Sequence, residues 1–236
     1  MAIFQAVLLE TSISPSNAKS CTMRGVFEAI HAFYYTGAYT SVLLPEAEQV
    51  RARLAPARRE RFDRQSATVQ RAVSLAAWRL LEIGMQRCGF TDFRLVDVVH
   101  PIDGKPLWSG AKNTPDGRRV DFSISHAHGI AACAIAKGVT VGCDAEERKR
   151  IKPRLTQRLV ADDAARMPCW TELEAVVKAA GKGIMHGRDI VWTEHAAMFD
   201  GVCWWCYPVE CGSLHAVHVA ADKPNLKIIV SEVNEL

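Results

Sequence analysis

The chain contains 236 residues, of which 49% are hydrophobic, so it can bury one substantial core or two modest ones. Its formal net charge of +3 and its pI near 8.4 are too mild to indicate a nucleic-acid-binding protein. No run approaches the roughly 18 apolar residues of a membrane span. The first residues also lack the basic lead and the small-residue cleavage site of a signal peptide, and we therefore expect a cytoplasmic protein.

The predicted elements begin with a strand over residues 1–10, which polar turns follow. A first helix is predicted to open at Pro45 and to end at Pro56. A second helix is long and amphipathic, and it extends through Trp78 to about Cys88. The first third of the chain is therefore predicted to be mainly helical.

Strand character returns in the middle of the chain. Residues 93–99 alternate as a strand does, and residues 103–106 indicate a turn. A loop rich in helix and strand breakers follows over residues 113–117. Residues 122–136 again favour strands, with an interruption by the polar residues 125–128.

A weak internal repeat suggests two related halves. Residues 2–10 and residues 139–147 are both apolar segments that end in an acidic residue. We therefore predict an α+β fold of two similar halves, with a ligand site in the cleft between them. The halves are predicted to comprise residues 1–138 and residues 139–236.

An arginine-rich stretch leaves two interpretations open. Its basic residues outnumber Glu60 and Asp63, and they are Arg51, Arg53, Arg58, Arg59, Arg61, Arg64 and Arg71. The stretch is typical of a solvated helix face. It also fits a patch that attracts an anionic ligand or an acidic partner protein.

The eight cysteines are scattered singly and flanked by apolar residues, which indicates reduced, buried thiols rather than a disulfide framework. The spacing of Cys203, Cys206, Cys211 and His215 loosely fits a zinc knuckle. Residues 202–209 read as a strand, however, and a strand would turn Cys203 and Cys206 to opposite faces. Core cysteines in a hairpin are therefore favoured over zinc ligands.

Two acidic segments indicate a metal site. A strand over residues 141–146 would place Asp144 and Glu146 on one side, where they could share a cation. A helix that begins near Trp170 would place Glu174 and Lys178 one turn apart on one face. Carboxylate oxygens are ligands that suit Mg²⁺. The combination predicts a site for a metal-bound phosphate ester.

Each of these residues also has a structural interpretation. The acidic strand end could simply face solvent. Thr171 could cap the helix with Glu174 completing a capping box, and Lys178 could do no more than pair with Glu174. His126 could be a core histidine, and His128 competes with it for any functional role.

The motifs together resemble one family. They are Gly104-Lys105-Pro106, the Phe-Ser-Ile-Ser-His of residues 122–126, the Val-Gly-Cys-Asp-Ala-Glu of residues 141–146, the Trp170–Lys178 helix, and Gly181-Lys182-Gly183. This set is similar to the 4'-phosphopantetheinyl transferase superfamily, in the larger two-half type that activates peptide synthetases. Two departures are Leu173, where the family usually has lysine, and the short segment between Asp144 and Trp170.

The resemblance implies a fold and a reaction. The two halves would form a pseudo-dimer within one chain, which is expected to be a monomer, with the active site between them. Phosphopantetheine would pass from coenzyme A to a serine of an acyl or peptidyl carrier protein, releasing adenosine 3',5'-bisphosphate. A degenerate relative that binds coenzyme A or carrier protein without transfer is the alternative.

The resemblance also implies roles for individual residues. Those that would hold Mg²⁺ are Asp144, Glu146 and Glu174. Glu174 or a metal-bound water would accept the serine proton, while His126 and Lys178 donate to phosphate oxygens. The remaining candidates for gripping the phosphates of coenzyme A are Arg58, Arg71 and Lys105. Neither a nucleic acid nor a membrane is expected as a partner.

Overall fold

The computed structural model describes residues 29–37, 43–64, 68–101, 104–112, 117–151, 153–162 and 164–236. The strand predicted over residues 1–10 and most of the loop predicted over residues 113–117 lie outside these ranges. The described part is a mixed α+β fold. No helix within it is both long and apolar enough to cross a membrane.

Within these ranges, three helices follow the first strand, and two more lie between the sixth strand and the seventh. The helices are α1 (Leu43–Arg53), α2 (Pro56–Asp63), α3 (Thr68–Arg87), α4 (Pro153–Leu159) and α5 (Trp170–Ala179). The strands are β1 (Ala29–Tyr35), β2 (Val98–Val99), β3 (Leu107–Trp108), β4 (Val120–Ala127), β5 (Ile130–Lys137), β6 (Val141–Glu147), β7 (Val191–Trp192), β8 (Ala197–Phe199), β9 (Val202–Val209), β10 (His215–Ala221) and β11 (Lys227–Glu232).

The first sheet has the strand order β11-β1-β5-β4. The β4–β5 hairpin turns through His128 and Gly129, and Gly129 has a positive φ of 77°, which suits glycine in so tight a connection. Helix α3 packs on this sheet through an apolar face that includes Trp78 and Leu81. The predicted long helix and the two strands are therefore confirmed, but the break between the strands falls at His128 and Gly129, because residues 125–127 still pair with β5.

The second sheet has the strand order β6-β10-β9-β8-β7, and its pairings are antiparallel. One of its faces packs against the first sheet through small and β-branched side chains, among them Ala132, Cys143 and Val219. Helix α5 covers its other face. The candidate site lies where α5, β6 and β4 meet.

Three features of the structure differ from the predictions or add to them. Residues 93–99 contain a short 3₁₀ turn over Leu95–Asp97 and the two-residue strand β2, because β3 offers a partner to Val98 and Val99 alone. Pro56 begins α2 as well as ending α1, since proline is well tolerated in the first turn of a helix. Strand β11, from the end of the chain, pairs in parallel with β1 in the sheet that otherwise belongs to the first half.

Candidate active site

Strand β6 divides its side chains between two environments. Val141, Cys143 and Ala145 enter the apolar layer between the sheets. Gly142 lies against α5, and Asp144, two residues further along, pairs with Lys178 of that helix. The alternation of a strand therefore directs Asp144 toward α5, at the position that the sequence predicts.

Helix α5 begins two residues earlier than a Thr171 cap would require, because its N-cap is Cys169. The backbone N–H of Cys169 donates to Glu172 at 2.8 Å, and Arg166 forms an ion pair with the same carboxylate at 2.9 Å. The predicted capping box of Thr171 with Glu174 is therefore wrong. Thr171 instead lies 2.8 Å from Nδ1 of His218, and Glu174 faces the carboxylates of β6.

Asp144 is the centre of a buried polar cluster. Its Oδ1 accepts hydrogen bonds from Lys178 Nζ at 2.6 Å and from Ser125 Oγ at 2.9 Å. Lys178 Nζ also donates to Ser125 Oγ at 3.0 Å and lies 4.0 Å from Glu174 Oε2. The other oxygen of Asp144, Oδ2, is buried and accepts no hydrogen bond from any described residue. An unpartnered buried carboxylate oxygen is costly unless a ligand satisfies it.

The cluster holds more negative than positive charge. The pKa of Glu174 is raised to about 7, chiefly by burial and also by repulsion from Asp144 and Glu146, although Lys178 opposes the shift. Burial and Asp144 also raise the pKa of Glu146. The pKa of Lys178 is lowered by burial, but attraction to Asp144 and Glu174 outweighs that and raises it overall. A further cation would relieve this repulsion.

The described residues of the cluster around Asp144 do not form a ready-made metal site with three ligands. Among the described residues, no group of three His, Cys, Asp or Glu side chains stands close enough to hold a metal ion. Of the zinc candidates, Cys203 and Cys206 lie on β9, and His215 contacts the carbonyl oxygen of His128 at 3.2 Å. The ammonium of Lys178 lies beside Oδ1 of Asp144, and Oδ2 of Asp144 has no partner among the described residues.

A cleft of about 660 Å³ opens next to the cluster. Its cationic lining residues are Arg58, Lys105, Lys178 and Lys182, and His186 also lines it. The guanidinium of Arg58 lies over the ring of Trp78, 5.2 Å from its centroid. Burial and, to a lesser degree, the charge of Arg61 together lower the pKa of Arg58 to about 10, and the side chain stays cationic at neutral pH. The cleft therefore suits an anionic ligand.

The residues predicted to bind phosphate differ in whether other protein groups already hold their charged side chains. Lys105 lines the cleft, but its buried ammonium binds the Asp121 carboxylate and the Val141 carbonyl oxygen. Arg71 is not among the residues that line the described cleft, and it lies 3.8 Å from Asp63 and 4.0 Å from Glu48. Of the three candidates Arg58, Arg71 and Lys105, Arg58 lines the cleft and forms no ion pair with a described residue.

His126 lies beside the cleft rather than in its wall. Its side chain is solvent-exposed, yet surrounding protein lowers its pKa to about 4, and the charges of Lys178 and Arg58 contribute to that shift. A neutral imidazole at physiological pH can donate a hydrogen bond but adds no charge.

Sequence reasoning missed other residues of the site. Ser125 belongs to one of the motifs on which the resemblance rests, but the resemblance assigns it no role. Strand alternation could have indicated it, because alternation places Asp121, Ser123 and Ser125 on one face of β4. Lys182 follows α5, where a basic residue beyond a helix end is common. Leu173 is fully buried in the cluster around α5, so its side chain packs with Val177 and Trp192 rather than entering the cleft.

A comparison of the chain with protein-family models and with curated proteins gives no match to either. The function is therefore inferred from the residues of the site themselves.

Proposed function

We propose that this protein is an Mg²⁺-dependent 4'-phosphopantetheinyl transferase, that is, a holo-[acyl-carrier-protein] synthase. It transfers the 4'-phosphopantetheine group of coenzyme A to a serine of an acyl or peptidyl carrier protein. The observation that carries the proposal is the buried, unpartnered Oδ2 of Asp144, with Glu174 and Lys178 beside it and a cationic cleft adjoining it. Such a site fits a ligand that joins a divalent cation to phosphate groups.

The proposed architecture is a monomeric pseudo-dimer of residues 1–138 and 139–236 in the cytoplasm. Its support is the origin of the site residues. Ser125 and Arg58 come from the first half, and Asp144 and Lys178 come from the second. Residues from both halves thus surround one cleft.

The residues present fit a magnesium ion. Asp144, Glu146 and Glu174 supply hard oxygen atoms, and Oδ2 of Asp144 has no partner among the described residues. A bound ion would supply positive charge against the oxygens of the diphosphate. Glu146 and Glu174 would join Asp144 with a change of side-chain position, because the three do not form a ready ligand set.

The chain's own residues bind and orient the reactants. Arg58 and Lys182 hold phosphate groups in the cleft, and Lys178 donates to an oxygen near the reacting phosphorus. The carrier serine forms a new oxygen–phosphorus bond, and the bond from that phosphorus to adenosine 3',5'-bisphosphate breaks. The serine proton passes to Glu174, whose carboxylate lies in the same cluster as Lys178.

Mass spectrometry of the carrier protein tests this proposal. The purified protein is incubated with coenzyme A, Mg²⁺ and, in separate reactions, an apo acyl carrier protein or an apo peptidyl carrier protein. We expect the mass of one phosphopantetheine group to appear on at least one carrier, and we expect EDTA or Asp144→Asn to abolish it. Coenzyme A binding by calorimetry without any mass gain would instead identify the binding-only relative.

A further inference from the structure

Lys178 has the geometry of a resident counter-ion. Its ammonium is 2.6 Å from Asp144 Oδ1, 3.0 Å from Ser125 Oγ and 4.0 Å from Glu174 Oε2. These are the same carboxylates that a divalent cation would need. The ammonium therefore neutralises part of the negative charge that the fold gathers at this point.

The position of Lys178 also leaves space in the cleft into which its ammonium can move. It belongs to the lining of the anion-binding cleft, and 30% of its side chain is exposed, whereas the Asp144 side chain is 5% exposed. A lysine has a long, flexible stem, and its ammonium can exchange one partner for another. Asp144 is held in place on β6 and by Ser125, so the lysine is the partner that moves.

We infer that Lys178 is an internal competitor of the divalent ion: it holds Asp144 in the metal-free protein and is displaced toward the cleft when the ion binds. The inference rests on the proposed metal site and extends that proposal. When the ion binds, the displaced ammonium of Lys178 moves toward the cleft, where it adds positive charge beside the anionic substrate. Two charges near one carboxylate repel each other, so the ammonium weakens metal binding until it moves.

Binding of Mn²⁺ alone tests this competition without any measurement of transfer. The free metal is counted by electron paramagnetic resonance in titrations of the wild-type protein, Lys178→Met and Lys182→Met. We expect Lys178→Met to bind Mn²⁺ at least about tenfold more tightly than the wild type, because the variant removes the repulsion between the ammonium and the ion, and tenfold corresponds to about 1.4 kcal/mol.

Lys182→Met is the matched control, since it removes a cleft charge that pairs with Asp200 at 3.5 Å and not with Asp144. We expect this variant to bind Mn²⁺ within about threefold of the wild type, because an exposed charge is screened. Equal or weaker binding by Lys178→Met overturns the inference, and so does the absence of bound Mn²⁺ in all three proteins.

A second measurement uses the wild-type protein, in case Lys178→Met folds poorly. Lysine-selective NMR observes the ammonium signal, which Lys178→Arg assigns by its loss. We expect slow hydrogen exchange of this ammonium in the metal-free protein and fast exchange after Mg²⁺ is added. An ammonium that stays protected at saturating Mg²⁺ contradicts displacement. A protein that passes both tests yet modifies no carrier retains this inference and loses the transferase proposal.

Discussion

Asp144 has a structural role and a proposed functional role, and the two can be separated by substitution. Removing one partner of a buried ion pair usually costs about 3–5 kcal/mol. Asp144→Ala should destabilise the protein by less, about 2 kcal/mol, because Glu174 stays 4.0 Å from Lys178 and is no longer repelled by Asp144. Urea unfolding measures this loss.

Asp144→Asn is the companion variant, since it retains the shape of the side chain and an oxygen for Ser125. We expect its stability to lie between that of the wild type and that of Asp144→Ala, while both variants lose transfer. If Asp144→Ala unfolds at the wild-type urea concentration, the ion pair with Lys178 does not contribute to stability.

Glu174 should make stability depend on pH in the direction opposite to an ordinary paired carboxylate. Its pKa rises from 4.5 to about 7 on folding, so between these values the folded state holds a proton that the unfolded state has released. The contribution of this group to stability therefore falls as pH rises through that window. Glu174→Gln lacks the effect and should be the more stable protein at pH 7 and above.

The measurement is urea unfolding of both proteins in EDTA across pH 4.5 to 8. We expect the difference in free energy of unfolding to be small at pH 4.5 and to grow up to about pH 7. Histidines with lowered pKa values, such as His126, act in both proteins and cancel in this difference. If the difference in free energy of unfolding between the two proteins does not vary with pH, Glu174 is not held in a repulsive environment.

At the scale of elements, the approach of α5 to β6 positions the site. A Cβ atom at Gly142 would lie 2.0 Å from the Ala175 carbonyl oxygen and 2.4 Å from the Ala179 backbone nitrogen. Backbone atoms cannot move aside as a side chain can, so Gly142→Ala should push the helix away. We expect a loss of about 2–3 kcal/mol, typical of overpacking, together with loss of transfer.

Gly183→Ala provides a control on the same side of the molecule. Its backbone φ is −86°, and no atom lies within 4 Å of an added Cβ, so we expect little change in stability. Gly183 also lines the cleft, so it serves as a control for stability alone. Thermal unfolding applies to both variants, and the carrier-protein assay applies to Gly142→Ala. Wild-type behaviour of Gly142→Ala would mean that α5 does not need this close contact.

Local periodicity was sufficient to predict several of these elements, and tertiary contacts explain the failures. The strand β6 and the one-turn spacing of Glu174 and Lys178 follow from residue alternation and helical repeat. The start of α5 near Trp170 was also predicted, but its capping residues were not, because Arg166 fixes Glu172 in the cap. The position of Lys178 on Asp144 could not be predicted either, since it depends on a contact between separate elements.

Long-range pairing set the other limit on prediction. Strand β1 pairs with β11, so Ala29 lies opposite Lys227, and no local pattern indicates such a partner. The same holds for Ser125, whose bond to Asp144 requires β4 and β6 to be neighbours. The identity of the candidate residues could therefore be predicted from the sequence. Their hydrogen-bond partners could not, because those partners depend on the fold.

At the scale of the whole molecule, the two sheets are joined where β4 meets β6, and side chains make that junction. Both strands lie at the ends of their sheets. Asp121 accepts the Val141 N–H at 2.8 Å, and Ser123 accepts the Cys143 N–H at 2.9 Å. These bonds satisfy donors that an edge strand would leave unpaired. The junction therefore fixes Asp144 relative to the first half.

Lys105 strengthens this junction, and its substitution tests how far the cleft depends on it. Lys105→Met would leave the carboxylate of Asp121 buried without its cation, and we expect a loss of about 3 kcal/mol in urea unfolding. Lys105→Met combined with Asp121→Asn should recover at least half of that loss, because the buried charge is gone while an amide oxygen still accepts the Val141 N–H.

Coenzyme A affinity separates the two possible roles of Lys105. If the lysine acts by anchoring the cleft wall, the double variant should recover binding in calorimetry along with stability. If its ammonium instead contacts a phosphate of the ligand, affinity should stay low in both variants even where stability returns. The buried pairing of Lys105 with Asp121 and the Val141 carbonyl favours the first outcome, since binding a ligand would require the lysine to break both contacts.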